Sequence, residues 1–85
     1  MEVKLFQRTQ RDLAASINLV IDKYWEDQID ETRMIELIQK LYKANMNKFI
    51  KNGGYTTIIR QQCGKRRLEV VDQVINKTNN GKTGE

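Results

Sequence analysis

No proline occurs anywhere in the chain, and the first glycine is Gly53. More than half of the sequence therefore lacks the two residues that most readily interrupt a helix. Within that stretch apolar side chains recur at spacings of three and four. Leu13, Ile17, Val20, Ile21 and Tyr24 form a stripe of roughly 100°, which Ala14 and Trp25 widen to about 140°. Thr9, with Asp12 three residues on, supplies a start signal, so the first helix is expected to run from Thr9 to about Trp25. A polar link over 26–29 follows, and Asp30 is a good N-cap, with Glu31 in the first turn favourable to the helix dipole. A link this short predicts that the second helix returns antiparallel to the first.

Met34, Ile35, Leu37, Ile38, Leu41, Tyr42, Met46, Phe49 and Ile50 span about 220° when 31–50 is drawn as one helix. An arc that wide suits a central helix, or a helix that meets a second copy of the chain. Ile35, Leu37, Tyr42 and Met46 are the residues expected at such a dimer interface. Asn45 projects into the arc, marking either a bend near 44–47 or a polar residue that fixes register. The helix is expected to stop at Asn52-Gly53-Gly54. A short helix over 56–62 ends at Cys63-Gly64, and a last helix runs from Lys65 to about Lys77 with Leu68, Val71, Val74 and Ile75 inward. Residues 1–8 alternate weakly and read as an extended arm.

The expected fold is all-α. It is a small bundle of two long antiparallel helices, a short helix and a C-terminal helix, with an extended N-terminal arm. Residues 1–77 form a single domain and 78–85 a disordered tail. At 85 residues the chain buries only about 60–65% of its unfolded surface, and self-association would relieve the thin core. Ile17, Tyr24, Ile38, Leu41 and Leu68 are its expected members.

Composition removes several chemistries. There is no histidine, hence no imidazole acid, base or metal ligand and no Ser-His or Cys-His pair. One cysteine closes no internal disulfide and builds no cysteine-type zinc site. A small buried thiol is the plainer reading of Cys63, because free cysteine packs like a hydrophobe. Glu26, Asp27, Asp30 and Glu31 lack a calcium-loop pattern, and 53–57 lacks phosphate-loop spacing. No enzyme activity and no cofactor are expected. A cytoplasmic location fits the lone thiol, the lack of a signal peptide and the lack of a long apolar run.

The net charge of +4 lies entirely in the last 35 residues, which hold seven basic and three acidic side chains. Residues 56–77 have the outline of a helix-turn-helix around Gly64. In that outline Arg60, Lys65 and Arg67 would reach phosphates, and Arg66 and Gln73 base edges. Glu69 and Asp72 oppose such an approach, and a solvated helical corner explains the same residues. Two functions follow: an accessory protein acting through protein contacts, expected to be a homodimer, or a DNA- or RNA-binding protein.

The segment KNGGYTTIIRQQCGKRRLEVV, following a first helix with Tyr24-Trp25 and a polar turn, resembles a family of small bacterial proteins of about this length with no assigned activity. The likeness covers most of the chain outside the tail. It rests on the order glycine, aromatic, Thr-Thr, Gly-Lys-Arg-Arg-Leu. It implies a compact bacterial cytoplasmic helical domain and transfers no ligand or catalytic residue; a bulky aliphatic would be expected at position 63.

Overall fold

A computed structural model describes residues 5–83, with side chains described as far as Asn76. The order of elements is α1 (Gln10–Trp25), α2 (Glu31–Ala44), α3 (Met46–Phe49), β1 (Ile50–Lys51), β2 (Gly54–Tyr55) and α4 (Thr57–Thr83). The chain is mostly helical, as its periodicity requires.

Both expected caps form. The Thr9 hydroxyl accepts from the backbone N–H of Asp12 at 3.0 Å, and Asp30 Oδ1 accepts from that of Arg33 at 2.8 Å. The first helix ends in a Schellman turn. The N–H of Gln28 donates to the carbonyl of Lys23 (2.8 Å) and that of Asp27 to Tyr24 (3.1 Å). Asp27 occupies the left-handed position of this motif with φ 62°, where glycine is the usual residue. A side chain there costs roughly 1 kcal/mol, somewhat less for aspartate. Asp27→Gly is therefore expected to raise the melting temperature by a few degrees, measured by circular dichroism. A lowered value would mean that the Asp27 side chain contributes something beyond this turn.

The second helix breaks within 44–47, the first of the two readings that Asn45 left open. It stops at Ala44, and Asn45 (φ −134°, ψ 34°) separates it from the single turn of α3. The cause is the buried Asn45 side chain. Its Nδ2 donates to the carbonyls of Leu5 (2.6 Å) and Leu41 (2.9 Å), and its Oδ1 accepts from the N–H of Gln7 (3.0 Å). One side-chain amide thus pairs with the arm much as a strand would, and gives its backbone the groups that a lone strand lacks. With 45–50 removed from the helix, the apolar arc of α2 narrows to about 160°.

The all-α expectation fails locally. Residues 50–55 form a two-stranded antiparallel hairpin, with Ile50 opposite Tyr55 and Lys51 opposite Gly54. Asn52 and Gly53 both have positive φ, 57° and 83°. That is the mirror-type two-residue turn that suits the twist of two strands and selects Asn-Gly. These residues end no helix; they reverse the chain into α4.

The final helix is two limbs joined at Gly64, where φ 82° and ψ 168° break the helical course. No atom crowds this glycine, so the backbone conformation selects it and not the space. Thr56 caps the first limb, its hydroxyl accepting from the N–H of Ile59 at 3.3 Å. The second limb continues to Thr83. The backbone of 78–83 is thus helical, past the expected end near Lys77 and where a disordered tail over 78–85 was expected; side chains from 77 onward and residues 84–85 lie outside the described residues.

The core gathers Leu13, Ile17, Val20 and Ile21 from α1 and Met34, Leu37, Ile38 and Leu41 from α2 around Phe49, Ile59, Cys63, Leu68, Val71 and Val74. Helix α4 packs chiefly on α1. Ile17, Ile38, Leu41 and Leu68 are buried as expected. Tyr24 is only partly so and lies at the core's edge.

Candidate functional site

The turn between α1 and α2 brings the end of one helix beside the start of the next, and the second limb of α4 lies against both. Between them is a groove of about 410 Å³ lined by Tyr24, Trp25, Met34, Ile35, Val70 and Val74, with Glu31 and Gln73 on its rim. Trp25 is 45% exposed, although an indole is among the side chains with most to gain from burial. Two guanidinium groups, Arg66 and Arg67, each lie 5.8 Å from its ring centroid.

These arginines differ in what else they do. Arg67 binds Asp22 through Nε and Nη2, with contacts of 2.9–3.0 Å to both carboxylate oxygens. It also donates through Nη1 to the carbonyl of Cys63 at 3.3 Å, where the first limb ends. Arg67 is thus a strut from α4 to α1 across the Gly64 joint. Arg66 is exposed, and its contact among the described residues is the tryptophan face.

The basic residues expected to meet nucleic acid are not brought to one face. Arg60 and Lys65 border a separate, more open depression together with Glu69 and Asp72. Arg66 and Gln73 lie on the Trp25 side, and Arg67 is engaged by Asp22. The limbs also meet at one residue, whereas a helix-turn-helix has a turn of three or four. Of the residues expected at a dimer interface, Leu37 is 3% exposed and belongs to the core. It is corrected to a packing residue. Ile35 lines the groove and Tyr42 packs edge-on to Phe49 at 5.3 Å between centroids, while Met46 is 51% exposed.

Sequence reasoning singled out Trp25 as the end of a helical stripe and as part of the family resemblance, but not as part of a site. Its pairing with α4 depends on contacts more than forty positions apart, which no local pattern reveals. Among the described residues no group of three or more cysteines and carboxylates is placed to hold a metal ion. None of the described helices is long and apolar enough to cross a membrane.

A family of conserved hypothetical proteins matches the chain over residues 4–76. The chain belongs to that family. No curated protein and no solved structure gives a match. The matched span includes every groove residue and both arginines, so the site lies within the part shared with the family.

Two titratable groups beside the core, Cys63 and Tyr55, are shifted by burial. Burial pushes the Cys63 thiol up to about 11, with Arg67 pulling weakly the other way. Burial, then the hydrogen bond that Tyr55 donates to Asp72, pushes Tyr55 above the ordinary phenol range. Both groups are held neutral in the fold. Their contribution to stability is complete below pH 9, the ordinary thiol value, and is lost as pH rises toward the folded values. Thermal melts should be flat to about pH 8.5 and then fall, buried Cys63 contributing up to ~1.4 kcal/mol per pH unit and the partly exposed Tyr55 less, because solvent screens it. Tyr55→Phe should make the fall less steep above pH 10, the ordinary tyrosine value. Melts unchanged to pH 11 would show these groups to be solvated.

Proposed function

We propose that this is a small non-enzymatic accessory protein that works through protein–protein contacts, with the Trp25 groove as its contact surface. A single observation carries the reading: a half-exposed tryptophan, flanked by arginine, borders a groove of mixed apolar and polar lining in the family-matched part of the chain. Tryptophan and arginine are the residues on which interface energy most often concentrates. Charge on α4 is mixed and not gathered into one basic face, which favours a protein partner over nucleic acid.

The test compares proteins captured from the source cell by the tagged wild type and by Gln73→Trp. Gln73 is exposed on the groove rim, so the bulky replacement blocks the groove without disturbing the core. A partner held by the wild type and lost by the variant supports the reading. Partners retained equally by both would move the contact elsewhere.

Self-association is a second proposal, and it now rests on the arm and not on the α2 face. Leu5 (38%), Phe6 (73%) and Met46 (51%) are exposed around the Asn45 clamp, and the Lys48 ammonium lies 5.9 Å from the Phe6 ring centroid. Sedimentation equilibrium should show a dimer that Phe6→Ser weakens. A monomer up to ~100 μM, well above ordinary specific affinities, removes this proposal.

A further inference from the structure

We infer that the occupant of the Trp25 groove is an acidic amphipathic helical segment of a partner protein, whose apolar side chains fill the groove and whose carboxylate meets Arg66. This rests on the groove being the contact surface, and it adds the chemistry of what enters. The floor supplied by Met34, Ile35, Val70 and Val74 is apolar, and so selects apolar anchors. At about 410 Å³ the groove is of a size to take a few side chains and not a folded domain. Side chains at i, i+4 and i+7 of one helix are the arrangement that enters such a groove.

Charge chooses among the helices that could do this. Arg66 lies over the face of the tryptophan, and among the described residues no carboxylate pairs with it. Its neighbour Arg67 shows the contrast, being bound by Asp22. An arginine on an aromatic face keeps its N–H edge free for a carboxylate, because the ring occupies only the guanidinium plane. Glu31 on the rim opposes a polyphosphate strand, whose charge is negative throughout, whereas a peptide can carry its carboxylate at the Arg66 end alone. The same glutamate would accept a lysine or arginine at the other end of the segment.

Trp25 is the sole tryptophan in the chain, so its emission reports the groove directly. The probe is a blocked helical peptide with leucine at i, i+4 and i+7 and glutamate beside them. It is compared with a twin carrying lysine for every glutamate, and with an oligothymidine strand. The expected result is saturable change with the glutamate peptide and about tenfold or more weaker binding of the lysine twin. Arg66→Gln should remove that preference while leaving the melting temperature within a few degrees. Equal binding of the two peptides overturns the acidic partner and leaves the groove reading standing. No binding of either peptide up to ~1 mM, the weakest ordinary affinity, also overturns it. The groove reading is then judged by the Gln73→Trp capture. Binding of the oligothymidine alone, weakening with salt, overturns both.

Discussion

Phe49→Ala is expected to cost about 3–5 kcal/mol, the range for emptying a fully buried aromatic site. Phe49 has no exposed surface. Its ring meets Tyr42 edge-on at 5.3 Å and Tyr55 at 6.3 Å. Its backbone joins two elements, donating to the carbonyl of Asn45 (3.0 Å) and accepting from the N–H of Thr56 (3.1 Å). Collapse around the vacancy is hindered, because the Tyr42 and Tyr55 rings that would move in are held by α2 and by the hairpin. A chain this small has only several kcal/mol in total, so much of the population should unfold near 37 °C. The urea midpoint should fall at constant slope. A midpoint close to the parent's would place Phe49 outside the packed core.

Asn45→Ala should cost about 2–4 kcal/mol, although it removes only one small polar side chain. Deleting it takes the partner from the buried Gln7 N–H, at about 1–3 kcal/mol, and from the part-buried Leu5 carbonyl, at about 0.5–1.5 kcal/mol. Gln7 is 7% exposed, so water does not readily replace the amide. The arm should detach, with amide exchange at Gln7 rising to that of an open chain while residues of α1 stay protected. Asn45→Asp keeps the acceptor for Gln7 but sets a carboxylate oxygen against the Leu5 and Leu41 carbonyls at a buried position, so it should cost at least as much as alanine. Retained protection of Gln7 in Asn45→Ala would show that the arm is held by something else.

Helix starts, the inward stripe of α1 and the joint at Gly64 are all legible in the sequence because they are local. Thr9 and Asp30 announce caps within three residues of their partners. The hairpin was legible as well: Asn52-Gly53 is a strong two-residue turn signal, but glycine after lysine-bearing apolar residues also ends helices. Strands of two residues show no alternation to decide between these. Asn45 is the instructive case. Read along the helix it is a polar residue in an apolar arc, and that arc implied a second subunit. Its partners Leu5 and Gln7 lie some forty positions away, so a break made for the arm passed for an exposed face. The basic residues were misgrouped for a related reason. Sequence proximity placed Arg60, Lys65, Arg66 and Arg67 together, whereas a helix turns each through about 100°, and Asp22 from α1 takes one of them.

The most direct measurement of the groove's role is site-specific photocrosslinking in the source cell. A photoreactive residue is placed at Gln73 on the groove rim, and for comparison at Lys43, which is exposed on α2 and is not among the groove's lining residues. The account predicts a discrete heavier adduct from Gln73 that is absent from Lys43 and is abolished when Trp25 is replaced by serine in a chain that still folds. Adducts of equal yield from both positions, or an adduct from Gln73 that survives loss of the tryptophan, would contradict it.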